Sequence, residues 1–146
     1  MHRNEYPRPD FVREHWACLN GIWDFEFDDN NIGMSSKWYK KDHKLTEKIN
    51  VPFVFQSKLS NININDFHDF IWYKRKFTID DSWKNKDILL HFGAVDYRCH
   101  VFINGELAGS HEGGHISFYL NITNYLTWDK EEITVYVEDP SDDETI

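Results

Sequence analysis

Apolar residues recur at every second position along much of this chain, and that period is the side-chain repeat of a β-strand with one face buried. In Ile22–Asp28, Trp23, Phe25 and Phe27 point one way while Asp24, Glu26 and Asp28 point the other. In Ile71–Ile79 the inward set reads Ile71, Tyr73, Arg75, Phe77 and Ile79, with Lys74 and Lys76 outward. The alternation continues through Ile88, Leu90 and Phe92, then Cys99, Val101 and Ile103, then Phe118, Leu120 and Ile122, and closes with Ile133, Val135 and Val137. Asn104-Gly105 predicts a type I′ hairpin, whose two central residues both need positive φ, joining Val101–Ile103 to a short return strand near Leu107–Gly109. Gly113-Gly114 and Asp139-Pro140 are further breaks. Helical signal is thin: a turn or two over Met34–His43 and one more over Asn121–Leu126. About eight short strands with one polar face each predict an all-β domain, a jelly-roll β-sandwich. Residues 29–50 and 56–70 are the long irregular stretches, of the kind that is functional or lies against a neighbour.

The chain has 146 residues, one domain's worth, and is too short for a (β/α)₈ barrel, which needs roughly 200 or more. Its 40% hydrophobic content supplies a core and argues against disorder. With 25 acids against 16 Lys and Arg, the net charge of −9 repels phosphate backbones, so neither nucleic acid nor an anionic membrane is expected as a partner. Five of the acids fall within Glu138–Glu144, read as a solvated acidic end or as a site rim where the chain continues into another domain. Two cysteines, Cys18 and Cys99, are too few for a disulfide framework, and Cys99 in its alternating run is expected to be a buried free thiol. The N-terminal residues lack an apolar leader and no run reaches the length of a membrane span, which makes the cytoplasm the expected location.

Catalytic patterns are scarce. No GxSxG elbow marks a serine as the nucleophile of a triad. His111 and His115 are four apart, but the intervening Glu112-Gly113-Gly114 does not make the helix that would bring them together on a metal, and no cofactor pattern is present. Among the acids, Asp96 and Glu112 stand out in loops beside Gly, His and Tyr, and a hydrogen-bonding role suits them better than catalysis. The 24 aromatic residues are either core filler or a stacking surface for sugar rings. Trp23, Phe25, Phe27, Phe77 and Phe92 are in phase with strands and belong to the core, whereas Trp72, Tyr97, Phe118, Tyr119 and Trp128 are open to either reading. Asn121-Ile122-Thr123 fits the N-glycosylation pattern, read as coincidence in a chain without a secretory signal.

Taken together, RPDFVREHWACLNGIWDFEFDD (8–29), INVPFVFQSKLS (49–60), IWYKRKFTI (71–79), ILLHFGAVDYRCHVFINGELAGSHEGGHISFYLNITNYL (88–126) and ITVYVEDPSDD (133–143) resemble the N-terminal sugar-binding domain of glycoside hydrolase family 2, the family of β-galactosidases, β-glucuronidases and β-mannosidases. Most specific are HFGAVDY, the VFINGELAG hairpin and HEGGH-x-SF. The resemblance implies a jelly roll of galactose-binding-domain-like fold that packs against a catalytic barrel of the same polypeptide, where two glutamates carry out a retaining mechanism. The chain is therefore expected to be a single non-catalytic domain, residues 1–146, with the barrel absent from it. His115 stands where many members have an aromatic residue, and Lys74 where many have Arg. The resemblance also implies a substrate rim, whose nearest positions here are Asp139, Asp142 and Asp143 near the end of the domain and Ser57 or Asn61 in the 56–65 loop. Asp96, Tyr97, Glu112 and His115 are the other loop candidates.

Three roles follow from this reading. The first is a scaffold that shapes the active-site rim of a hydrolase acting on β-linked sugars, β-galactoside- or β-glucuronide-like. The second is a free-standing carbohydrate-binding module with an exposed aromatic platform. The third is a structural role in the subunit contacts of a homo-oligomer, for which an apolar patch left bare by the barrel would look the same.

Overall fold

The computed structural model describes residues 19, 21–51, 70–92, 98–112 and 118–138. Among the described residues are eight strands: β1 (Gly21–Phe27), β2 (Glu47–Val51), β3 (Phe70–Phe77), β4 (Leu89–Phe92), β5 (Arg98–Ile103), β6 (Glu106–Glu112), β7 (Phe118–Asn121) and β8 (Glu131–Glu138). Six of them form an antiparallel sheet in the order β2-β1-β3-β8-β5-β6, and β4 and β7 form a second, two-stranded sheet. The out-of-sequence neighbours β3-β8-β5 are what a jelly roll requires, and the β-sandwich expected from the alternation is the fold observed.

The inner faces meet as the sequence period demands. Trp23, Phe25, Ile71, Tyr73, Val101 and Val135 of the large sheet are buried against Ile88, Phe92 and Ile122 from the other side. Cys99 lies fully buried among them as a free thiol, as expected, and burial pushes its pKa up to about 12, so it stays protonated and unreactive. The hairpin forms where Asn104-Gly105 places it, with φ of 54° and 87°, and its return strand is longer than expected, Glu106–Glu112. A Thr123–Tyr125 3₁₀ turn occupies the second helical position.

Three expectations need correction. Residues 47–50, read as irregular, belong to the edge strand β2, whose Glu47, Lys48 and Asn50 are exposed and only Ile49 is buried, too short a pattern to register as alternation. No regular helix forms over 34–43; a run of turns does, because Lys37 and Asp42 sit at φ of 61° and 74° and interrupt any helical ladder. Lys74 does not face water. It is 3% exposed, Trp72 beside it is fully buried, and Asp28, read as outward, is 1% exposed.

The reason for the last correction is a strap. The segment 28–46 crosses the outer face of the large sheet and buries a second cluster of Leu45, Trp72, Phe102 and Tyr136, with Trp38, Tyr39 and Phe70 packed at its edge. Tyr39 stacks on Phe102 with centroids 4.6 Å apart, and Trp72 on Tyr136 at 4.4 Å. Asp28 starts the strap by accepting hydrogen bonds from Ile32 N, Gly33 N (both 2.8 Å) and Trp72 Nε1 (2.9 Å). Gly33 passes so close over the Trp72 indole that a methyl group there would overlap it. Lys74 Nζ donates to the carbonyls of Trp38 (2.8 Å) and Lys40 (2.9 Å) and faces Glu132 at 3.6 Å, while Glu132 accepts from Asp42 N at 3.0 Å. Burial lowers the Lys74 pKa, and the Glu132 carboxylate opposes that shift. Lys76 pairs with Asp42 at the strap's far end.

Candidate functional site

Four strand ends lie side by side at one end of the large sheet. Arg98 opens β5 opposite Glu112, the last residue of β6, and opposite Glu138, the last of β8, while Phe70, the first of β3, also faces Glu138. The stretches that carry most sequence candidates therefore adjoin these ends in the chain. Ser57, Asn61, Asp96, Tyr97, His115, Asp139, Asp142 and Asp143 themselves lie outside the described residues. Glu112 is described, exposed and bonded to Arg98.

Around Glu112 the sheet builds a connected polar cluster on its outer face. Arg98 donates through Nη2 to Glu112 and through Nη1 to Glu138, both at 3.1 Å. The second oxygen of Glu138 lies 2.7 Å from His100 Nε2, and His100 Nδ1 lies 2.8 Å from Ser110 Oγ. The His100 ring stacks on Tyr136, whose hydroxyl donates to Asn31 Oδ1 at 2.6 Å, so the cluster ends on the strap. Burial, with the Glu138 charge adding to it, raises the Tyr136 pKa and keeps that hydroxyl a donor. Arg98, His100 and Ser110 were not among the sequence candidates, although Arg98 and His100 alternate with buried Cys99 and Val101 and so announce a polar strand face.

Ser110, His100 and Glu138 stand in the chain of contacts that defines a nucleophile, a base and an orienting acid. The setting does not support that chemistry. Ser110 and His100 are directly opposed cross-strand neighbours, the ordinary unit of sheet stabilisation. Arg98, the cluster's cation, donates to two carboxylates and so is not a dedicated donor for an oxyanion. Both oxygens of Glu138 are likewise committed. The cluster is a brace across β5, β6 and β8.

The open aromatics divide. Trp72 is core, Phe118 stacks on Phe92 at 4.8 Å and on His111 at 4.1 Å, and Trp128 packs half-buried on the inner core. Tyr97 lies outside the described residues, and Tyr119 is 61% exposed. Among the described residues no three His, Cys, Asp or Glu side chains are grouped as metal ligands, and no helix is long and apolar enough to cross a membrane.

The described residues build a two-layer β-sandwich in which the strand ends at Phe70, Arg98, Glu112 and Glu138 lie side by side. The family described as "Glycosyl hydrolases family 2, sugar binding domain" matches residues 16–146, and the chain belongs to that family. It is 28% identical over 133 residues to a β-glucuronidase of Paenibacillus borealis, covering 90% of this chain and 22% of that protein. It is 26% identical over 121 residues to a β-galactosidase of Thermoanaerobacter pseudethanolicus, covering 82% and 14%. The solved structure of a Lactobacillus rhamnosus β-glucuronidase superposes with a TM-score of 0.72 at 28% identity, over 83% of this chain and 20% of that one. The chain thus spans 14–22% of the length of these relatives.

Proposed function

We propose that this chain is the non-catalytic sugar-binding and scaffold domain of a retaining glycoside hydrolase that acts on β-linked sugars, β-glucuronides or β-galactosides. The observation that carries the reading is the family match over 16–146 in a chain that spans about a fifth of its relatives. Hydrolysis in the parent runs by double displacement between two carboxylates about 5–5.5 Å apart, on a catalytic barrel that 146 residues do not hold. This domain works in the cytoplasm and contributes to the substrate rim through Asp139, Asp142, Asp143, Ser57 and Asn61, with Asp96, Tyr97, Glu112 and His115 beside them. What supports the rim is the convergence of strand ends at Phe70, Arg98, Glu112 and Glu138, from which those stretches depart.

The test compares the full-length gene product with this chain on nitrophenyl β-D-glucuronide and β-D-galactoside. Turnover by the full-length protein and none by the chain alone is expected. Turnover by the purified chain, or a full-length protein inert towards every β-glycoside offered, would sink the proposal.

A further inference from the structure

The two-stranded sheet turns its second face to solvent. Leu89 lies across from Asn121 and His91 across from Tyr119, while Leu90, Phe92, Phe118 and Leu120 of the same strands face the core. All four outer residues are exposed, Tyr119 by 61% and Leu89 by 44%. The His91 and Tyr119 rings lie 5.4 Å apart, tilted by 40°. Asn121 is held in one orientation, because its Oδ1 accepts from Thr123 N at 3.0 Å and from Thr123 Oγ1 at 2.6 Å. Those bonds occupy the carboxamide oxygen and leave the Nδ2 protons for a further acceptor.

We propose that this face is a stacking platform for the pyranose ring of a β-linked sugar. The argument is one of charge complementarity. Aromatic rings carry negative charge on their faces. A β-glucuronide, with every ring substituent equatorial, shows weakly positive C–H hydrogens on either face, and a β-galactoside, whose 4-hydroxyl is axial, shows them on the face opposite that hydroxyl, with the other hydroxyls at the rim. Laid over Tyr119, such a ring brings its rim hydroxyls to the imidazole of His91 on one strand and to the oriented carboxamide of Asn121 two residues along the other. Partial burial lowers the His91 pKa, which favours the neutral imidazole. A cross-strand aromatic pair steadies any sheet, but that role requires neither the exposure of Tyr119 nor a fixed amide beside it. The inference rests on the family reading for the class of ligand alone; the site is read from the geometry.

Aromatic ¹H–¹³C NMR spectra of the 146-residue chain, titrated with methyl β-D-glucuronide and separately with methyl β-D-galactoside, test it. Saturable shifts at Tyr119 and His91 with a Kd of about 1–10 mM are expected. Tyr119→Ala should weaken binding by roughly tenfold or more, while Tyr119→Phe, which keeps the ring, should stay within about twofold. Tyr119 contributes little to the core, so both variants should keep the wild-type spectrum elsewhere. Binding that is unchanged in Tyr119→Ala with shifts at the other end of the sheet would overturn the platform and leave the family reading intact. No shift at about 50 mM of either sugar, or shifts that grow with protein concentration in the absence of sugar, as from a second copy on this face, would overturn it too. The family reading itself falls by the full-length activity assay, a separate measurement.

Discussion

Asp28 and Glu131 are carboxylates with almost no access to water, and each is made tolerable by hydrogen bonds from turns that it in turn holds shut. Asp28 accepts three, from Ile32, Gly33 and Trp72. Asp28→Ala strands those donors and should cost about 3 kcal/mol in a urea unfolding experiment. Glu131 accepts from Asn104 Nδ2, Thr127 N, Thr127 Oγ1 and Trp128 N at 2.7–3.1 Å. Burial works to raise its pKa, but the hydrogen bonds outweigh burial and hold it below the ordinary carboxylate value. The unfolded chain therefore takes up this proton first as pH falls. The stabilisation is complete above the unfolded value of about 4.3 and disappears as pH drops through the folded pKa. The urea midpoint should fall across that acid window, and less steeply in Glu131→Gln than in the wild type.

Among the elements, the strap is held by Lys74, which donates to its carbonyls and faces Glu132, and by the Lys76–Asp42 ion pair. Lys74→Ala removes the donor to Trp38 O and Lys40 O and leaves Glu132 buried without its cation, so a loss of about 3 kcal/mol is expected, with faster hydrogen exchange at the amides of 36–42. In the β5–β6 hairpin, Gly105 sits at φ +87°, and Gly105→Ala should cost about 1 kcal/mol by thermal denaturation. These two elements also mark what the sequence could reveal. The hairpin was readable because the preference of Asn-Gly for positive φ is local chemistry. The inner face was readable because a flat sheet against a flat sheet imposes period two on both. The outer face was not, because its cover is an irregular segment whose Trp38, Tyr39 and Leu45 follow no period, so Lys74 looked like any solvated lysine on the outward phase of a strand. The Arg98–His100–Glu138 brace was half readable: its polar alternation is in the sequence, but the pairing of β5 with β8 is a long-range register that no local pattern carries.

At the scale of the whole molecule, the sandwich has two unlike exteriors. One is the bare sheet face with Leu89, His91, Tyr119 and Asn121; the other is the strap, with Ile32 and Met34 exposed along it. Under the proposed function, chemistry belongs elsewhere in the parent. Accordingly, removing the domain from the full-length enzyme should abolish or sharply reduce kcat/KM on nitrophenyl β-glycosides, measured at steady state, while the isolated domain stays inactive. The strap adds a consequence for divergence. Because it is fastened to the sheet through Asp28, Lys74, Glu132, Asn31 and Asp42, outward side chains such as Ile32 and Met34 carry none of that fastening. Residues such as Ile32 and Met34 can be rewritten, or the turn between them and Trp38 lengthened, with the sheet, its register and both cores left alone. Related enzymes could thus re-upholster this side for a new neighbour while inheriting the same frame.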